Sequence, residues 1–163
     1  MGKDGTVDVD NAVDAVRLHR CPHLELRLNT HKGRGVFATS PIAARIVLEI
    51  SPVLILDQAE NKAHIEQTEL YHYTYNWPLP GNDPLILGLG SMFNHSRREQ
   101  NVVWQRDVQR QVIVYRAARD IAAGEELCIS YGDRLTFVDA DEVGGGDCET
   151  VEGELEGLGR IEI

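Results

Sequence analysis

Asn94-His95-Ser96 follows an apolar, glycine-broken run, and Tyr131 closes the apolar stretch Leu127-Cys128-Ile129-Ser130. Upstream, Lys32-Gly33-Arg34-Gly35-Val36-Phe37-Ala38 sets a glycine on each side of an arginine. Glycine permits positive φ and lets a ligand approach the backbone closely. An amide side chain donates and accepts hydrogen bonds without adding net charge. A buried phenol must satisfy its hydroxyl somewhere. Each stretch alone also reads as architecture: a hairpin turn, an Asx turn, a structural hydrogen bond. The chain shows no nucleophile triad and no paired carboxylates at a telling spacing. His19, Cys21 and His23 crowd around Pro22, but no fourth metal ligand stands near them. Gly88-x-Gly90 lacks the third glycine and the following helix of a dinucleotide fingerprint. What is left is chemistry of binding and alignment.

In this order, residues 32–38, 90–96 and 124–132 resemble the SET-domain protein lysine methyltransferases. The resemblance covers roughly residues 24–137. It implies a mainly β, α+β architecture: the β-clip fold of several small curved sheets, with few helices and a C-terminal pseudoknot. It implies S-adenosylmethionine as methyl donor, with S-adenosylhomocysteine as product. Lys32, Gly33, Arg34, Gly35 and Phe37 become cofactor contacts, mostly through backbone, and Asn94, His95 and Tyr131 join them. Tyr131 takes the place of the family's catalytic tyrosine. Tyr73 and Tyr75 are the choice for aromatics lining a lysine channel, with packing of a helix end as the other account of both. The reaction so implied needs a neutral amine, although a free lysine has a pKa of about 10.4. A narrow apolar channel disfavours the ammonium.

The chain departs from the common family pattern in three places. Arg97-Arg98-Glu99-Gln100 stands between Asn-His-Ser and Asn101, where many members have Cys-Pro. That cysteine often joins a zinc cluster with a cysteine-rich segment after the domain; neither is in this chain, so no metal is expected. Ser91 and Met92 replace the usual Arg-Phe, and Ile129 stands where many members carry an aromatic that limits methyl number. Residues 135–138 or a second copy of the chain would then close the channel, which makes a homodimer one reading.

The elements that must position these residues are short. Leu24, Leu26 and Leu28 alternate with polar residues as a half-buried strand, paired back as a hairpin by residues 35–39. Residues 46–50 and 53–56 read as two β-rich runs split by Ser51-Pro52. Asp57 caps a helix expected over 58–75. Residues 102–105 and 112–116 form a hairpin, and 127–131 a last buried strand. Val9, Val13 and Val16 give a weak helical hint. The division is an N-terminal extension over 1–23, a catalytic domain over 24–137 and an acidic, glycine-rich tail over 138–163.

The 163 residues carry a net charge of −10, of which −8 falls in residues 138–163. The remainder is nearly neutral and has no basic patch for phosphates, which argues against direct nucleic-acid binding. A lysine-rich peptide is the more natural partner. No apolar run is long enough for a membrane span. Three widely spaced cysteines, Cys21, Cys128 and Cys148, make no disulfide framework and fit the nucleus or cytoplasm. The resemblance implies methylation of a core-histone tail. Methylation of a non-histone protein, and a catalytically silent peptide-binding module, are the other two readings.

Overall fold

The computed structural model describes residues 15–78 and 83–132. The acidic stretch 138–163, the channel wall at 135–138, Val9, Val13 and Cys148 lie outside the described residues. Eight strands carry the fold. β1 (Leu24–Thr30) and β2 (Gly33–Ala38) form an antiparallel hairpin. β3 (Val47–Leu54), β4 (Leu85–Ile86), β6 (Val102–Asp107) and β7 (Val112–Ala117) build an antiparallel sheet in the order β4-β3-β7-β6. β5 (Asn94–His95) and β8 (Cys128–Ile129) pair in parallel, distant in sequence but adjacent in space.

The mainly β class, the 24–38 hairpin and the 102–117 hairpin follow the sequence pattern. Three elements differ from it. The expected helix over 58–75 is broken into an α-turn at Gln58–Glu60, a π-turn at Asn61–Ile65 and a 3-10 turn at Glu69–Tyr73. Asp57 does cap it, its Oδ1 accepting the Glu60 N–H at 2.8 Å. No apolar stripe then sustains it, since Ile65 is the one hydrophobic residue buried within 58–73. Buried Asn61 instead donates to Asp83, and extended Thr68 caps the next turn.

The two runs around Ser51-Pro52 are one strand, β3, with Pro52 opposite Val112, the first residue of β7. Proline is tolerated there because the ladder between those strands is ending. In β1, Leu26 and Leu28 are 40% and 62% exposed, not half-buried, because the hairpin is a two-stranded sheet of its own.

The final segment joins these parts. Leu127 donates its N–H to the Val36 carbonyl (2.8 Å), and Ala38 donates to that of Glu125 (2.9 Å), so residues 125–127 run along β2. The next two residues are β8, beside β5. Val36, Phe93, Tyr115, Leu127 and Ile129 are fully buried around this junction. Ser96 donates to the Ile129 carbonyl and Asn101 to that of Cys128, so the 96–101 loop grips β8 at both ends.

Asn101 is buried completely, and every polar group it has is used. Its Nδ2 donates to Glu125 Oε1 (2.8 Å) and to the Glu126 carbonyl (2.7 Å). Its Oδ1 accepts the Cys128 N–H at 2.8 Å. Its carbonyl accepts the Ala118 N–H at 2.8 Å. Asn101→Ala removes three side-chain bonds and leaves the Cys128 N–H buried without its acceptor. A loss of about 3 kcal/mol in urea unfolding is expected.

Glu125 also receives the Ala122 N–H and pairs with Arg119. Partial burial pushes its pKa up, but Arg119, the Ala122 amide and Asn101 outweigh burial and bring it to about 2. A folded pKa below the ordinary 4.5 contributes stability that is complete above pH 4.5 and is lost as pH falls toward 2. Urea midpoints measured across that window should fall in the wild type. The slope should be shallower in Glu125→Gln.

Candidate functional site

The site is built where β2, β5 and residues 125–132 meet. The 3-10 turn Leu89–Met92 leads into β5. Gly88 is there for space, since a Cβ would lie 2.7 Å from both Glu49 Oε1 and Ser51 Oγ. A Cβ on Gly90 would enter the Tyr115 ring. These glycines let the turn lie against the central sheet. Buried Glu49 holds the turn from below, accepting the Leu89 N–H at 2.9 Å and pairing with Arg20 at 2.7 Å.

Asn94 ties three stretches together. Its Nδ2 donates to the Arg34 carbonyl (2.9 Å) and to Glu126 Oε1 (2.7 Å). Gly35 is buried under this contact, and a Cβ there would strike Glu126 and Asn94. Gly33 has φ +84°, which suits only glycine without strain, and it makes the tight turn before Arg34. Lys32 reaches across and donates its ammonium to the His95 carbonyl at 3.2 Å.

Tyr131 is fixed at both ends. Its N–H donates to His95 Nδ1 (3.1 Å), and its hydroxyl donates to the Phe93 carbonyl (2.7 Å). The His95 and Tyr131 rings lie 5.3 Å apart. Because Nδ1 accepts, the His95 ring carries no proton on that nitrogen. Burial pushes the Tyr131 hydroxyl well above the usual tyrosine range, with Tyr75, Cys128, Tyr73 and Glu126 adding to it.

Beside Tyr131 is a cavity of about 290 Å3, lined among others by Tyr71, Tyr73, Tyr75, Trp104, Arg106 and Ser130. Tyr75 stacks edge-on against Trp104 at 5.4 Å and points its hydroxyl to the Gly90 carbonyl at 3.3 Å. Tyr73 faces the cavity from the other wall, and Arg34 approaches its hydroxyl at 3.4 Å. Lys32, Gly33, Arg34, Gly35, Asn94, His95, Tyr131, Tyr73 and Tyr75 are therefore brought into one connected region. Phe37 is not at the cavity: its ring lies under the Arg27 guanidinium, 4.3 Å away, and its backbone bridges Glu126.

Sequence reasoning missed Trp104, Arg106 and Glu126. The first two alternate on β6 and so share a face. An arginine on the same face as a tryptophan was the available signal.

His19 and Cys21 are used structurally. His19 Nε2 lies 3.0 Å from the Val47 carbonyl, the Cys21 N–H donates to that of Leu48, and the Cys21 side chain is in the core. Among the described residues no group of three His, Cys, Asp or Glu is placed to hold a metal ion. No helix among them is long and apolar enough to cross a membrane.

The SET-domain profile matches residues 33–132, which spans both glycine turns, β5 and Tyr131. This chain belongs to the SET-domain family. A Schizosaccharomyces pombe protein, the histone-lysine N-methyltransferase specific for H3 lysine-37, is 51% identical over 116 residues, 71% of this chain and 78% of that one. Two crystal structures share the fold. A Plasmodium falciparum histone methyltransferase candidate superposes with TM-score 0.54 at 24% identity, over 69% of this chain and 95% of its own. CpSET8 of Cryptosporidium gives 0.55 at 23%, over 70% and 59%. The curled small sheets described above are thus those of a SET domain, and the chain is a protein lysine methyltransferase.

Burial also pushes Tyr75 and Tyr115 upward. Spectrophotometric titration at high pH should find three phenols, those of Tyr75, Tyr115 and Tyr131, ionising at higher pH than an ordinary tyrosine. Tyr131→Phe should remove one of the three.

Proposed function

We propose that this protein transfers a methyl group from S-adenosylmethionine to a lysine of a histone tail, with histone H3 lysine-37 the first substrate to try. The observation that carries the reading is the Tyr131 hydroxyl, held on the Phe93 carbonyl at the wall of an aromatic cavity and next to the Asn94–Arg34 tie. The half-identical yeast relative supports the choice of substrate.

The donor set suits the cofactor. The carbonyls of Arg34, Phe93 and His95 and the Glu126 carboxylate present oxygen to a cationic group. Lys32 and Arg34 present cations to a carboxylate. Gly33, Arg34, Gly35, Asn94 and His95 would hold it, mostly by backbone, with Lys32 at one end. Phe37 supports this turn through its backbone bridge to Glu126. When bound, the sulfonium supplies an electrophilic methyl group and departs as a neutral thioether.

The chain's own residues do the rest by placement. Tyr71, Tyr73, Tyr75 and Trp104 enclose the aliphatic stem of the lysine and exclude water. Their apolar faces disfavour the ammonium, so the amine is held in its neutral, nucleophilic form. Tyr131, kept protonated by burial, offers a neutral oxygen toward the methyl group while its own O–H donates to the Phe93 carbonyl. Alignment of amine and methyl supplies most of the rate.

The catalytic domain is taken as 24–137, with 1–23 as an extension and 138–163 as an acidic tail. Residues 135–138 or a second copy of the chain would close the channel beyond Gly132. A nuclear site of action goes with the histone substrate.

The test is incubation of labelled S-adenosylmethionine with core histones or with cell extract. Label on histone H3 is expected, and Tyr131→Phe should lower it at least about a hundredfold while the protein still folds. Label only on non-histone proteins would move the substrate elsewhere. Cofactor binding without transfer to any protein would overturn the enzymatic reading.

A further inference from the structure

Among the described residues, the wall of the cavity carries a guanidinium whose buried Nε makes no hydrogen bond. Arg106 lies on β6, one alternation beyond Trp104, and its guanidinium stacks over the Trp104 ring at 4.6 Å. Its Nε is buried and has no hydrogen-bond partner among the described residues. Arginines elsewhere show what an engaged one looks like here. Arg20 forks onto Glu49 and Arg119 pairs with Glu125, while Arg110 leaves its own Nε unpartnered but pairs with Asp107 through the tip of its fork. A guanidinium with a buried N–H left unmade is costly, and this one stands beside the cavity that receives the substrate.

Among the described residues, those lining that cavity include no carboxylate. Arg106 is the arginine among them, with His72 at the rim. A lysine-binding site with a cation in its wall does not hold an ammonium by ion pairing. What a guanidinium does hold is an oxygen acceptor. A basic tail brings few carboxylates, but every lysine brings a main-chain carbonyl on each side.

Resting on the methyltransferase reading above, we propose that Arg106 is a substrate-positioning residue. It donates to a main-chain carbonyl beside the target lysine and so sets how deep that lysine enters. The stack on Trp104 fixes the plane of the fork. Tyr75, packed edge-on against the same Trp104, transmits that placement to the opposite wall.

The experiment uses the full chain and a synthetic histone H3 peptide centred on lysine-37. Arg106→Met keeps an apolar stem on Trp104 and removes the donors. KM for the peptide should rise about tenfold or more, the loss typical of a charge-assisted hydrogen bond. KM for S-adenosylmethionine should be unchanged and kcat should fall by less than about threefold. Arg106→Lys should fall between the two.

Peptides in which the amide on either side of the lysine is replaced by an ester, a weaker acceptor, test the wild type directly. One of them should lose affinity in the wild type and show no further loss in Arg106→Met. Should Arg106→Met fail to fold, the ester series on the wild type decides alone. An unchanged peptide KM, or equal KM for amide and both esters, overturns the assignment. So does a wild-type preference, lost in the variant, for a glutamate or phosphoserine beside the lysine, because the acceptor would then be a side chain. Absence of transfer by the wild type to any histone substrate would instead sink the reading on which this rests.

Discussion

A single buried amide holds the three working stretches in register. Asn101 bonds to Glu125, Glu126 and Cys128 from a fully buried position. Through Glu126 it connects to Asn94, and through Asn94 to the turn at Arg34. Apolar packing alone would not choose between alternative alignments of β8 against β5, because a two-residue parallel pairing has little to specify it. A fully satisfied amide does choose. Any slip of one residue would strand several buried donors and acceptors at once.

The catalytic arrangement follows from that register. Placing Ile129 opposite His95 brings Tyr131 over the His95 ring and onto the Phe93 carbonyl. Neither end of the tyrosine is fixed by a residue near it in sequence. The orientation of Tyr131 is thus set by a pairing of chain segments more than thirty residues apart.

Much of this was legible in the residues. The alternation in 102–116, the turn at Gly33 and the ordered run of three motifs gave the fold class and the hairpins. The motifs led to most of the side chains that meet at the cavity. What failed did so for physical reasons. The segment after Asp57 has helix-forming residues but only Ile65 to bury, so the contact of Asn61 with Asp83 and the local cap at Thr68 redirected it. Leu26 and Leu28 alternate as a half-buried strand would, but alternation reports a face and not whether anything covers it. Asn101 reads as a plain polar residue, because no local pattern reveals that its partners lie in residues 125–128.

The reach of Glu49 has a further implication. It links Arg20, which precedes the segment matched by the SET-domain family, to the backbone just ahead of β5. A fragment trimmed to residues 33–132 would leave that carboxylate in the interior without its arginine, directly under the turn that leads to Asn94.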